Sequence, residues 1–309
     1  MSQASSAASE KTTPSPSSGG LKSDCLSPCG RAIPGKNHFY LSALLALVAL
    51  VLAVTVFGGP GCRSFKDAAQ RPLTIAGSTS VQPFAEKLAE VYMRQHPQCR
   101  IDVQGGGSSA GIYAAREGAA DLGASSRELT GPEKKLVEIP IAYDGIAIIV
   151  HPGNPLTDIQ LDQLRQIFTG NLTDWRGLGL PAHRIDIITR EEGSGTRDAF
   201  EHLVMGKQEI TPGALVQDSN GAVREIVAGD PYAIGYISAG LVDHSVKAVP
   251  FDGVLPTGEN IKNHRYKLLR RFLLVARSEP AGLCKDFVDF VLSHQGQKTL
   301  ETEGLVGVK

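Results

Sequence analysis

The sequence predicts an α/β protein with mostly parallel sheets, folded as two lobes that face one cleft. Short β-prone runs alternate with amphipathic helical patterns from about residue 72 onward, which is typical of βαβ units. Glycine- and hydroxyl-rich segments join several of the predicted strands to helices, at the strand ends where open α/β sheets bind ligands. The last of these segments follows the others only after a long stretch of chain, which favours a second lobe.

The helices and strands are predicted from the spacing of apolar residues along the chain. Residues 80–95 place Val81, Phe84 and Leu88 on one helical face, and residues 146–150 are apolar throughout, as in a strand buried on both faces. Thr130 and Glu133 have the spacing of a capping box and predict a further helix start. Strands are predicted at 73–76, 101–104, 146–150, 185–188, 233–236 and 267–276. Helices are predicted at 80–95, 109–118, 161–168, 194–205, 221–229 and 280–293.

The N-terminal region differs in composition from the rest of the chain. Residues 1–37 are rich in Ser, Pro and Gly and predict a disordered tail, followed by an apolar segment at 38–58 and a linker at 59–71. The apolar run has no charge from Phe39 to Phe57, close to the roughly 20 residues that cross a bilayer. It predicts an uncleaved anchor, a signal peptide or a lipoprotein signal ending at Cys62. All three place the remaining chain outside the cytoplasm.

Charge and composition restrict the classes of partner that the chain is expected to bind. The chain of 309 residues has 31 Lys and Arg against 32 Asp and Glu, and 6% aromatic residues, which disfavours a nucleic-acid partner. The histidines show no metal-ligand spacing, so neither a metal nor a cofactor is expected. Cys99 and Cys284 are compatible with either a disulfide or two free thiols.

The glycine- and hydroxyl-rich turns predict an anion site. A helix start has unpaired N–H groups and the positive end of the helix dipole, glycine allows close backbone approach, and Ser or Thr adds a hydroxyl donor. Their convergence suggests a small tetrahedral oxyanion. The segments are Gly77-Ser78-Thr79-Ser80, Gly105-Gly106-Gly107-Ser108-Ser109, Gly123-Ala124-Ser125-Ser126-Arg127 and Arg190-Glu191-Glu192-Gly193-Ser194-Gly195-Thr196.

Other interpretations of these residues stay open at this level. Residues 107–111 match the nucleophile elbow G-x-S-x-G, with Ser109 as nucleophile and His244, His264 or His294 as base. Residues 105–110 match a relaxed dinucleotide-binding pattern but lack the acidic residue that should follow. Arg190 offers a planar fork for an oxyanion, or alternatively a surface ion pair with Glu192. Arg127 is either a ligand contact or a salt-bridged residue.

Taken in order, these segments resemble the phosphate-binding proteins of bacterial ATP-driven phosphate importers. The resemblance covers residues 73–308 and includes Asp121 to Arg127, Ile167-Phe168-Thr169-Gly170 with Trp175, and Arg190 to Thr196. It implies a two-lobed periplasmic-binding-protein fold of type II. Lobe one would comprise 72–147 plus 246–309, and lobe two 148–245.

The resemblance also implies the ligand contacts and the activity. Phosphate would be held by Thr79, Ser80, Ser108 and Ser126 from lobe one and by Arg190, Ser194, Gly195 and Thr196 from lobe two. We expect a monomeric, membrane-tethered receptor, without enzymatic activity, that delivers phosphate to the permease subunits of an ABC importer. The alternatives are a receptor for sulfate or another oxyanion, a secreted serine hydrolase using Ser109, and a sensor that signals through its cytoplasmic tail.

One position departs from many members of that family. They have an aspartate where this chain has Ser126, and the aspartate accepts the proton of phosphate and excludes sulfate. Glu128, Asp144 and Glu192 are the candidates for a replacement acceptor.

Overall fold

The computed structural model describes residues 71–308. The predictions for the tail at 1–37, the apolar segment at 38–58, Cys62 and nearly all of the linker lie outside that range. Within the described range, no helix is long and apolar enough to cross a bilayer.

The first lobe begins with alternating strands and helices, as predicted. β1 (Leu73–Gly77) is parallel to both β2 (Ile101–Gly105) and β3 (Leu122–Ser125), and the helices pack against this sheet. Phe84 and Leu88 are buried against Leu122 and Phe272 in one apolar cluster, which explains the helical face seen in the sequence. The elements are β1 (Leu73–Gly77), α1 (Gln82–Gln95), β2 (Ile101–Gly105), α2 (Ser108–Glu117) and β3 (Leu122–Ser125). A 3₁₀ turn at Gly131–Lys135 follows, with the predicted capping box of Thr130 and Glu133.

One long strand, β4 (Val137–Val150), serves both lobes. Its residues from Val137 to Gly145 pair antiparallel with β9 (Leu269–Ala276) of the first lobe. Its residues from Ile146 to Val150 pair antiparallel with β7 (Ala233–Ser238) of the second lobe. The apolar run at 146–150 is therefore the second half of a strand.

The second lobe is built around β5 (Asp186–Arg190), which lies parallel between β6 (Leu215–Gln217) and β7. Phe200 stacks on Tyr236 in its main apolar cluster, with ring centroids 4.0 Å apart. The remaining elements are α3 (Leu161–Phe168), β5 (Asp186–Arg190), α4 (Gly195–Phe200, continued by the π-helical Glu201–Met205), β6 (Leu215–Gln217), α5 (Asn220–Gly229), β8 (Lys247–Val249) and α6 (Gly258–Lys262).

We propose that the chain returns to the first lobe after residue 268, later than the expected boundary at residue 246. β8 pairs with the second half of β4, and Phe251, Tyr266 and Leu268 are buried in the second lobe's core. On this pairing we assign residues 146–268 to lobe two and residues 269–308 to lobe one. After β9, the elements α7 (Leu283–Val291), α8 (His294–Thr302) and β10 (Val306–Gly307) complete the first lobe.

The predicted two-lobed α/β class is confirmed, with a sheet that is mixed rather than mostly parallel. The strand order is β2-β1-β3-β9-β4-β7-β5-β6, and β8 and β10 also pair with β4. Parallel pairs form the two flanks, whereas every pair that involves β4 or β9 is antiparallel. Cys99 and Cys284 are both free thiols, and both pack against the first lobe's core.

Candidate functional site

The predicted strand-to-helix turns come together where the two lobes meet. The first lobe contributes the turn after β1, the start of α2 and the residues after β3. The end of β1 lies against β3 so closely that a Cβ on Gly77 would be 2.3 Å from the carbonyl oxygen of Ala124. Glycine at this position thus brings the β1–α1 turn beside Ser126, whose Oγ accepts a hydrogen bond from Ser78 Oγ at 2.8 Å.

Hydrogen bonds join the lobes directly at this point. Ser80 Oγ lies 2.7 Å from Thr196 Oγ1, and both side chains are buried. Arg190 Nη2 donates to Thr79 Oγ1 at 3.0 Å. The backbone N–H of Ser109 donates to the carbonyl of Gly193 at 3.1 Å. The first lobe's hydroxyl groups therefore contact the β5–α4 turn of the second lobe.

The start of α4 faces the first lobe at Gly195, where there is no space for a side chain. A Cβ at this position would lie 2.2 Å from Ser108 Oγ and 2.7 Å from Ser126 Oγ. Ser194 caps the helix by accepting a hydrogen bond from the backbone N–H of Arg197. Ser108 Oγ in turn accepts from the backbone N–H of Ser126 at 3.0 Å and lies 3.4 Å from Ser126 Oγ.

Arg190 is buried in this cluster, with 1% of its surface exposed. Its Nε and Nη2 donate to the carboxylate of Glu191 at 2.9 Å and 3.0 Å, so the ion pair considered with Glu192 forms with Glu191. Nη2 also donates to the carbonyl of Asp218. Nη1 is buried and has no hydrogen-bond partner among the described residues. A buried guanidinium nitrogen without an acceptor favours a site for an anion, because an unsatisfied charged donor is costly.

A second guanidinium lies behind the hydroxyl groups. Arg270 Nη1 donates to Thr196 Oγ1 at 2.8 Å, and its Nε donates to Asp144 Oδ2 at 2.9 Å. Burial raises the pKa of the Asp144 carboxyl, and the adjacent Arg270 charge opposes that rise. Asp144 is therefore linked to Thr196 through the guanidinium group of Arg270.

The candidate replacement acceptors for Ser126 are not in contact with it. Glu192 is exposed, and Glu128 pairs with Arg271 at the surface. Asp144 is buried but is occupied by Arg270 and by Ser238 Oγ, which donates to Oδ1 at 2.9 Å. Around Ser126 the structure therefore gathers hydroxyl and N–H groups instead of a carboxylate.

Ser109 lacks the surroundings of a hydrolase nucleophile. Its Oγ accepts a hydrogen bond from Arg127 Nη2 at 3.1 Å, and no histidine within residues 71–308 hydrogen-bonds to it. Of the two alternatives for Arg127, the structure shows the salt-bridged one. Arg127 forms ion pairs with Glu133 in its own lobe and with Asp198 in the other, both at 2.8 Å. The same described range contains no cluster of His, Cys, Asp and Glu that could hold a metal ion.

Sequence reasoning missed Asn220 and Arg270. Asn220 Nδ2 donates to Ser80 Oγ at 2.9 Å from the first turn of α5. Arg270 faces Asp144 across the β4–β9 ladder. In the sequence, Asp144 interrupts an otherwise apolar stretch of β4, whereas Arg270 stands beside Arg271 and is not distinguished from it.

Comparison with known proteins decides the family. The profile of the PBP superfamily domain matches residues 64–295. The chain belongs to the PBP superfamily. One member, the phosphate-binding protein PstS of Bacillus subtilis (strain 168), is 33% identical over 279 residues, which cover 87% of this chain and 93% of that protein.

Solved structures of this superfamily agree with the fold. A phosphate ABC transporter substrate-binding protein from Clostridium perfringens, with bound phosphate, is 44% identical and aligns with a TM-score of 0.75, covering 77% of this chain and 100% of that one. An ABC-type phosphate transport receptor from Vibrio cholerae is 40% identical with a TM-score of 0.65, covering 76% of this chain and 99% of that one.

Proposed function

We propose that this chain captures inorganic phosphate between its two lobes and delivers it to an ABC-type phosphate importer. Relatives named as phosphate-binding proteins support this function, and a similar structure with bound phosphate supports the ligand. The observation that carries the proposal is Arg190, whose Nη1 is buried without an acceptor and whose Nη2 donates to the Thr79 hydroxyl of the other lobe. A small tetrahedral anion would supply that acceptor.

The proposed contacts are donors from both lobes. Lobe one would supply Thr79, Ser80, Ser108 and Ser126, and lobe two would supply Arg190, Ser194, Gly195 and Thr196. An anion that bonds to both lobes favours the conformation in which they meet, because it gains these contacts only there. The proposal involves no covalent step and no enzymatic activity. It places the protein outside the cytoplasm as a membrane-tethered monomer.

Calorimetric titration of the Arg190→Ala and Ser109→Ala variants tests the proposed contacts. Hydrogen bonds to a charged group contribute about 1.5–3 kcal/mol, so loss of Arg190 should weaken phosphate binding at least about tenfold to a hundredfold. Ser109→Ala is the matched control, because Ser109 lies next to Ser108 and its hydroxyl is bonded to Arg127. Equal phosphate affinities of the two variants would contradict the assignment.

The rival ligand is sulfate or another oxyanion. The hydroxyl of Ser126 has both a proton and lone pairs, so it can donate to sulfate or accept from phosphate. Titration with phosphate in the presence of excess sulfate, from about pH 5 to about pH 8, separates the two ligands. If excess sulfate abolishes phosphate binding, the site is specific for oxyanions in general and not for phosphate.

A further inference from the structure

A closed ring of hydrogen bonds, all between side chains except one from the backbone N–H of Ser238, connects the two lobes behind the proposed phosphate contacts. Starting from Ser80, the ring passes to Thr196 in the second lobe and to Arg270 and Asp144 in the first. It continues to Ser238 and Asn220 in the second lobe and returns to Ser80. All its members are buried: Ser80, Asp144, Thr196, Asn220, Ser238 and Arg270.

The orientation of the Asn220 side-chain amide is determined by this ring. Its Oδ1 accepts a hydrogen bond from the backbone N–H of Ser238 at 3.1 Å. A backbone N–H can only donate, so the oxygen of the amide must point toward Ser238. The NH₂ group is therefore directed at Ser80, and it donates to Ser80 Oγ at 2.9 Å.

This arrangement determines what the Ser80 hydroxyl can offer. A hydroxyl has one proton and two lone pairs, and Asn220 occupies one of the lone pairs. The proton of Ser80 cannot point at the amide, which is itself a donor. Thr196 is in the same situation, because Arg270 can only donate to its Oγ1. The Ser80–Thr196 hydrogen bond uses one of the two hydroxyl protons. When Thr196 donates that bond, both lone pairs of Ser80 are occupied and the Ser80 proton is free for an acceptor between the lobes.

We propose that Asn220 is a positioning residue for phosphate, which orients the Ser80 hydroxyl as a hydrogen-bond donor to the anion. The inference rests on the proposed function. It differs from a direct contact, because Asn220 acts through Ser80 and through the alignment that Ser238 imposes on its amide. A prealigned donor strengthens anion binding, since less reorientation is needed when the ligand arrives.

A double-mutant cycle of Asn220→Ala and Ser80→Ala tests this role through the dissociation constant for inorganic phosphate, measured by calorimetry. Asn220→Ala should weaken phosphate binding about tenfold in the otherwise unchanged protein. The same substitution should change binding less than about twofold in the Ser80→Ala background, where no hydroxyl is left to orient. Equal losses in both backgrounds would overturn the proposal, because they indicate either a direct contact or a purely structural role.

Asn220→Asp is the second variant. It keeps the shape and the acceptor for Ser238 but replaces the donor at Ser80 by an acceptor, which draws the hydroxyl proton away from the ligand. Phosphate binding should fall more than in Asn220→Ala, and binding as tight as in the unchanged protein would overturn the proposal. Asn260→Ala is the matched control, because that amide donates to the carbonyl of Leu255 at a surface away from the cleft.

Two failures remain distinguishable. If the unchanged protein binds neither phosphate nor sulfate, both the proposed function and this inference are overturned. If it binds phosphate and the Asn220→Ala protein binds equally well, the function stands and only the positioning role is overturned.

Discussion

Gly195 lies between the two lobes of the proposed site, at a point that leaves no space for a side chain. The space that a side chain would occupy there already contains the hydroxyl groups of Ser108 and Ser126. Its glycine is therefore required by the contact between the lobes and not by the conformation of the helix that it begins.

We predict that Gly195→Ala separates phosphate binding from folding. The added methyl group would lie 2.2 Å from Ser108 Oγ, so the lobes cannot meet and phosphate affinity should fall at least about tenfold. The thermal unfolding midpoint should change much less than the affinity, because each lobe keeps its own apolar core. Calorimetry and thermal unfolding measure the two effects. Gly229→Ala is the control, since that helical glycine has open space around it, and an unchanged affinity of Gly195→Ala would contradict the prediction.

Some residues of the candidate site can be predicted from the sequence, and others cannot. Arg190 and Ser194 stand in a turn whose glycines and hydroxyl residues indicate an anion site, and the structure brings that turn against Thr79 and Ser80. Asn220 and Arg270 stand in no such motif. Their places in the cluster depend on which strands and helices become neighbours, which local sequence patterns do not encode.

At the scale of elements, Arg127 ties the 3₁₀ turn at Gly131–Lys135 to helix α4 of the other lobe. Its guanidinium contacts Glu133 in the capping box and Asp198 in the first turn of α4. The hydrogen bond from Arg127 is the main cause that lowers the pKa of Glu133 from its ordinary value of 4.5 to about 2. The turn is therefore held by a charge interaction as well as by its cap.

The Glu133 interaction predicts a defined loss of stability in acid. Because the pKa is lower in the folded state, the stabilisation is complete above the unfolded value of 4.5 and disappears as the pH falls toward 2. Glu133→Gln should lower the free energy of unfolding by about 1 kcal/mol at neutral pH, since the pair is partly exposed. Urea unfolding at about pH 7 and about pH 3 should show a smaller pH dependence for the variant than for the unchanged protein.

Glu117→Gln provides the control for that measurement. Glu117 also pairs with an arginine, Arg116, but both side chains are about half exposed. The control should behave like the unchanged protein at both pH values. A Glu133→Gln protein with an equally steep loss in acid would contradict the assigned role.

Elements with strong patterns were predictable, and those defined by tertiary pairing were not. The helix of Phe84 and Leu88 and the apolar half of β4 follow from hydrophobic period. The first half of β4 contains Pro140 and the buried charge of Asp144, so its pattern does not resemble a buried strand. β6, β8 and β10 are two or three residues long and form only because a neighbouring strand pairs with them.

At the scale of the whole molecule, the Asp144–Arg270 pair is a buried charge pair where β4 passes from one lobe to the other. Arg270 Nη2 lies 2.8 Å from Asp144 Oδ2, and the two side chains are 3% and 1% exposed. Both partners also bond to residues of the second lobe, Arg270 to Thr196 and Asp144 to Ser238. Loss of one charge would leave the other buried without compensation.

We predict that Asp144→Asn destabilises the fold by about 3–5 kcal/mol, as expected when one partner of a buried ion pair is removed. The free energy of unfolding from urea titration measures the effect. Asp174→Asn is the matched control, because Asp174 pairs with the largely exposed Arg176 and its loss should change the free energy of unfolding far less. Similar losses of unfolding free energy in the two variants would show that the buried ion pair stabilises the fold no more than the exposed one.

The shared strand β4 also limits which insertions and deletions this chain can tolerate. Side chains alternate between the two faces of a strand, so a register shift of one residue reverses every side chain beyond it. In most proteins such a shift damages one sheet. Here, β4 pairs with β9 in one lobe and with β7 in the other. If a residue is added or deleted near Gly145, the two pairings can no longer both keep their register. Viable length changes should accordingly fall in surface loops such as the one around Gly253, and β4 should keep its length of 14 residues.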